Sequence, residues 1–181
     1  VRWTIAGADI GVQVEQLKLR NADAQGEFKA SWQTKPQAQL AEGESRFPGT
    51  LKLTGQLSRA NGARVYRYLP LGVGNEARHY VKDAVLAGEA RQVAVTVEGD
   101  LHHFPFADGK QGTFRIIAPV QQVQLRYVPR YLQHANEPDW PVLEHLAGSL
   151  EFEGNSMRVR KASGRARGFP SLQFSHIEAD I

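Results

Sequence analysis

Apolar and polar residues alternate along most of this chain. Leu51, Leu53 and Leu57 alternate with Lys52, Thr54 and Gln56, and Val93, Val95 and Val97 with Ala94, Thr96 and Glu98. Val123, Leu125 and Tyr127 alternate with Gln124 and Arg126. A period of two sends successive side chains to opposite faces, so each segment predicts a strand with one apolar and one wetted face. The pattern predicts about ten strands, near 2–8, 11–19, 26–33, 49–58, 90–101, 112–119, 121–128, 147–153, 156–164 and 171–179. Turn residues punctuate them at Asn21-Ala22-Asp23, Asp108-Gly109, Gly154-Asn155 and Gly168-Phe169-Pro170. A polar loop occupies 34–48, and a second loop, 129–141, runs through Pro129, Pro138 and Pro141.

Only one region carries a helical period. Asn61 is placed to cap a turn through Ala63–Leu69, with Val65, Tyr68 and Leu69 on one side and Pro70 as its stop. Asn75 is placed to cap a helix over Glu76–Leu86, with an apolar stripe at Ala77, Tyr80, Val81, Ala84 and Val85 and Gly88 as the terminator. This helix pair, 63–86, is too short to cover ten strands. The fold expected is therefore mainly β: a long, curved, twisted antiparallel sheet leaving an open apolar groove. Ten strands at ~4.8 Å spacing make a ribbon roughly 45 Å long, with an exposed apolar patch far beyond the few hundred Å² usual for a monomer. The positions expected to line that groove are Leu51, Leu53, Leu57, Val93, Val95, Val97, Phe114, Ile116, Val123, Leu125, Tyr127, Leu150, Phe152, Met157 and Val159. A closed β-sandwich, with the same stripes forming an ordinary core and a binding or scaffold role, is the alternative the alternation leaves open.

The 181 residues suit one domain, or a slice of something larger. The chain opens on Val1 in what reads as a strand, and is taken as an excised segment. An aromatic-proline entry recurs before strands, at Phe47-Pro48-Gly49, Phe104-Pro105-Phe106 and Trp140-Pro141. It reads either as a coincidence of common turn residues or as repeat modules near 1–46, 47–139 and 140–181 within one groove segment. The net charge of +3 suits an anionic partner without demanding one. Its densest basic stretch, Arg158, Arg160, Lys161, Arg165 and Arg167, has no interleaved aromatic to stack on a base, which argues against nucleic acid. Arg78 and Lys82 are the candidates for contact with a phosphate head group. The absence of cysteine excludes a disulfide framework and a thiol nucleophile.

No catalytic or metal constellation emerges. His102-His103 would point to opposite faces of a strand and could not share an ion. Glu144-His145 with Glu137 and Asp139 lacks a nucleophile and an oxyanion donor. No cofactor is expected, and no run is long enough to span a membrane.

One ordered set of motifs does stand out. Tyr68-Leu69-Pro70 is followed by Ala77-Arg78-His79-Tyr80-Val81-Lys82-Asp83-Ala84-Val85-Leu86-Ala87-Gly88, then Gly99-Asp100-Leu101 leading into Phe104-Pro105-Phe106, then Gly112-Thr113-Phe114. Trp140-Pro141-x-Leu143-x-x-Leu146-x-Gly148-x-Leu150-x-Phe152 closes it. Together these resemble the central region of YhdP-type proteins, in the AsmA-like superfamily with TamB, over about 47–160. Relatives often carry Trp-Leu where this chain has Tyr80-Val81. The resemblance implies a long Gram-negative envelope protein, anchored in the inner membrane by an N-terminal helix and crossing the periplasm. It also implies a repeating β-groove that conducts phospholipid to the outer membrane, with acyl chains in the groove and head groups in water. The partners implied are phospholipid acyl chains, both membranes through the full-length protein, and neighbouring groove repeats. The segment itself, lacking the anchor, is expected to be soluble and non-enzymatic.

Overall fold

Antiparallel pairing joins the alternating segments into one sheet. The computed structural model describes residues 1–40, 42–70 and 73–181. Its strands are β1 (Arg2–Ala6), β2 (Asp9–Arg20), β3 (Ala24–Gln33), β4 (Thr50–Asn61), β5 (Val85–Ala90), β6 (Val93–Asp100), β7 (Gly112–Leu125), β8 (Leu143–Glu153), β9 (Ser156–Ala166) and β10 (Gln173–Asp180). They form a 10-stranded sheet whose neighbours follow chain order, with β5 and β6 both lying between β4 and β7. β6 pairs with the first part of β4 and β5 with its last two residues, so the two strands share one lateral position. The ribbon is thus shorter than ten laterally spaced strands would make it, roughly 38 Å at ~4.8 Å per step. β1 pairs only with β2 and β10 only with β9, so the sheet is not a closed barrel. Among the described residues no second sheet packs on it, which departs from the sandwich alternative.

Three boundaries differ from the sequence reading. The segments expected at 112–119 and 121–128 are one strand, β7. At their junction Gln122 takes φ 53°, and the register shifts between Val120 and Val123. The extra residue forms a bulge in place of a turn. The helix, α1 (Asn75–Ala84), stops before Val85, with Gly74 at its N-cap where Asn75 was expected. Residues Val85–Ala90 leave the helix to pair with β7, and Gly88, the expected helix stop, lies in that strand at φ 134°. Ahead of α1, Gly62–Arg67 form a 3-10 turn capped as expected, the Asn61 side chain accepting from the Ala63 N–H at 3.0 Å.

Bulges recur on four successive strands. Gln122, His145, Lys161 and His176 all take φ between 52° and 57°, and each stands at a register shift. Each inserts one residue, so that apolar positions three apart, such as Val120 and Val123, stay on one face.

The buried core is slight. Among the described residues it holds the hydrophobics Ala24, Ala84, Val93, Phe106, Ala118 and Ala166, with Thr34 and Pro129 the largest side chains fully buried. Phe106 comes from the β6–β7 loop and covers Gly99 and Gly112, where a Cβ would come within 2.8 and 2.6 Å of its ring. Phe104 packs edge-on against Phe106 and Phe114, with ring centres 5.9 and 5.2 Å away.

Candidate functional site

The ladder assigns side chains to faces, because residues directly opposite in an antiparallel pair project to the same side. One row runs Leu17–Phe28–Gly55–Val95–Ile116–Phe152–Met157 across seven strands. Beside it lies Val14–Ala30–Leu53–Val97–Phe114. On its other flank are Leu19–Gly26–Leu57–Val93 and Ala118–Leu150–Val159–Ala179. Near one rim run Ala24–Ala60–Ala90–Val120–Gly148 and Val85–Leu125–Leu143–Ala166. No charged residue stands in any of these rows. The opposite face carries Lys18–Glu27–Gln56–Ala94–Ile117–Glu151–Arg158–Asp180, largely polar, with cross-strand pairs such as Lys52–Glu98 at 3.2 Å.

The structure brings most of the expected lining residues onto this one face. Leu51, Leu53, Leu57, Val93, Val95, Val97, Phe114 and Ile116 share it, as do Val123, Leu125, Leu150, Phe152, Met157 and Val159. Of these only Val93 is buried; the rest stay partly open to solvent. Tyr127 is placed elsewhere. β7 ends at Leu125, Arg126 N–H bonds to the Ala84 carbonyl, and Tyr127 is 58% exposed with its carbonyl accepting from the Tyr80 hydroxyl. Sequence reasoning missed Val14, Leu17, Phe28 and Ile177, which extend the same face onto β2, β3 and β10. Their signal, alternation, was present in the chain.

The helical segments stand at the rim where β4 ends and β5 begins. Arg78 acts there as an internal brace. Its guanidinium donates to the carbonyls of Tyr66, Leu69 and Pro70 at 2.9–3.1 Å, tying α1 to the turn before it. Lys82 is exposed, its ammonium 6.0 Å from the Tyr66 ring centre. His79 stacks on Tyr131 at 4.6 Å and pairs with Asp83 at 3.1 Å, joining α1 to the loop after β7.

Glu144 and Asp139, near the proline loop, are engaged in structure. Glu144 receives Arg165 Nε at 2.9 Å and Arg167 Nε at 3.0 Å. Those hydrogen bonds, Arg167's foremost, hold its carboxyl below the usual 4.5, so it is a poor proton donor. His145 Nε2 faces Arg165 Nη2 at 3.1 Å; a guanidinium only donates, so Nε2 accepts and Nδ1–H donates to Gln122 Oε1 at 2.9 Å. Asp139 pairs with Arg130 at 3.1 Å. His102 and His103 sit in a short 3-10 turn, with the Asp100 side chain capping His102 N–H at 3.0 Å. Among the described residues no cluster of three or more His, Asp or Glu could hold a metal ion. No helix among them is long and apolar enough to cross a membrane.

Comparison with known proteins extends the resemblance beyond its motifs. The family model described as YhdP protein matches residues 1–180, including the strands on either side of 47–160. The chain is 25% identical over 105 residues to the intermembrane phospholipid transporter YhdP of Escherichia coli (strain K12). That alignment takes in 58% of this chain and 8% of the relative. No solved structure matches. A match running from end to end of a ten-stranded antiparallel sheet places this chain in the YhdP family.

Proposed function

We propose that this segment carries phospholipid, with acyl chains on the apolar face and head groups in water, as one link of a route between the inner and outer membranes. The observation that supports it best is the row from Leu17 to Met157, seven strands wide, uncharged and, among the described residues, without a second sheet over it. Leaving such a surface bare in water is costly, and each lipid CH₂ buried on it returns about 0.8 kcal/mol. The face offers no charged anchor, so a tail resting there is free to slide along it.

The bulges on β7–β10 support a curved groove, because each adds local twist to its strand. The lining comprises the expected residues on this face, extended by Val14, Leu17, Phe28 and Ile177. Lys82 is free to meet a head group, whereas Arg78 braces the helices. The open edges of β1 and β10 suit continuation by neighbouring repeats of the same protein. The setting is the periplasm, with the full-length protein anchored in the inner membrane and this segment acting without catalysis.

Photo-crosslinkers at Leu53, Val95 and Leu125 test the reading. Acyl chains captured at all three, with phospholipid recovered from the adducts, are the expected result; no lipid at any of them would sink it. Val95→Arg should abolish lipid passage in the full-length protein while the segment keeps its circular dichroism spectrum. Unfolding by that change would instead mean the position belongs to a closed core.

A further inference from the structure

The insertion between β4 and β5 opens with a gathering of cations. Arg67 Nε donates to the Tyr66 hydroxyl at 3.3 Å, and its guanidinium carbon lies 5.8 Å from the ring centre. The Lys82 ammonium approaches the same ring from α1, at 6.0 Å. Arg64 stands in the same 3-10 turn and adds its positive charge: the Arg67 hydrogen bond first, and Arg64 after it, hold Tyr66 below its usual 10.0, against the opposing effect of desolvation. Asp23 answers Arg67 at 3.0 Å and also accepts from the Tyr68 hydroxyl at 3.3 Å. Among the described residues neither Arg64 nor Lys82 has a carboxylate partner.

The position of this group bears on its role. The 3-10 turn carrying Arg64, Tyr66 and Arg67 starts directly after Asn61, the last residue of β4. The row Ala24–Ala60–Ala90 is the last apolar row that β4 joins, and Asp23 immediately precedes Ala24. The turn that carries the arginines therefore begins two residues beyond Ala60, the last β4 position on the apolar face. A phenol oxygen is a weak acceptor for a guanidinium with further cations close by; a phosphodiester is a full anion with several acceptor oxygens and suits the arginine fork.

We propose that Arg64, Arg67 and Lys82, gathered around Tyr66, bind the phosphate of a phospholipid head group whose acyl chains lie on the adjoining apolar rows. The proposal rests on the reading of that face as lipid-binding. The head group is held at the rim by charge and the tails by burial, so only the phosphate contact responds to salt.

Three probes test it on the 181-residue chain: dihexanoyl phosphatidylglycerol below its micelle concentration, dihexanoylglycerol with the same tails and no phosphate, and inorganic phosphate. The wild type is expected to bind the phospholipid at least about tenfold more tightly than dihexanoylglycerol, the size of one or more charged hydrogen bonds. The double substitution Arg64→Gln/Lys82→Gln leaves the Arg67–Asp23 pair in place and should erase that preference while dihexanoylglycerol binds as before. A preference that survives the double substitution overturns the site. Inorganic phosphate binding as tightly as the phospholipid, and lost with the same substitutions, overturns the head-group assignment in favour of a free anion. Failure of dihexanoylglycerol to bind the wild type counts against the apolar-face reading itself, separately from anything the double substitution does.

Discussion

Gly55 lies in the middle of the seven-strand row, and the Phe28 ring takes the space a side chain there would fill. A Cβ at this position would collide with that ring and come within 2.6 Å of the Glu27 carbonyl oxygen. Gly55→Val is therefore expected to destabilise the segment by about 1–3 kcal/mol, the usual cost of overpacking. Urea unfolding checks this; an unchanged midpoint would mean that Phe28 swings away freely. Val95 is the opposite case, standing in the same row with part of its surface open. A residue that faces solvent tolerates a charge structurally, so its substitution should report on ligand and not on folding. The two positions separate what holds the sheet together from what the sheet offers to a partner.

At the scale of elements, Glu144 ties the rim together. Its carboxylate on β8 joins Arg165 on β9 and Arg167 beyond it, and Arg167 Nη2 continues to Gln124 of β7 at 2.9 Å. Because these partners lower its pKa in the folded chain, the carboxylate contributes stability that is present above about pH 4.5. That contribution is lost as the pH falls through the depressed folded value. Glu144→Gln should lower stability at pH 7 and flatten its decline below pH 4.5, read from thermal unfolding across that range. An acid profile identical to the wild type would mean the pairing is too solvated to matter. The helical segments are held to the sheet by comparable polar ties: Arg67 to Asp23, Tyr68 to Asn21, and Tyr80 to the Tyr127 carbonyl. Only Ala84 of α1 is buried, so this element is fastened more by hydrogen bonds than by an apolar face.

For the whole molecule, a sheet with two open edges and a slight buried core should not be uniformly stable. β7 and β8 are paired along both sides, whereas β1 and β10 have one neighbour each. Trp3 and Ile5 of β1 are 78% and 75% exposed. Native-state hydrogen exchange is expected to be slowest in β7 and β8 and fastest in β1 and β10. Edge amides as protected as central ones at high protein concentration would show that the edges pair between molecules. Loss of that protection on dilution would identify them as the surfaces through which segments join.

Alternation by itself determined the strand content, which residues share a strand face, and the shortage of helix to cover them, because a strand's side-chain period is two wherever the strand lies. The capping of the Gly62–Arg67 turn was equally local, being set by Asn61 and its neighbours. Pairing decided the rest. Gln122, His145, Lys161 and His176 carry no turn signature, yet each takes a left-handed conformation at a bulge, which only an adjacent strand can define. Val85–Ala90 continues the helical stripe of α1 by composition, but hydrogen bonds to β7 draw it into the sheet. Tyr127 keeps the alternation of Val123 and Leu125 beyond the point where the ladder ends. The cations around Tyr66 come from two separate helical segments, brought together by the Arg78 brace. A period is a property of a few consecutive residues, whereas a register, a strand end and a converging cluster depend on partners distant in the chain.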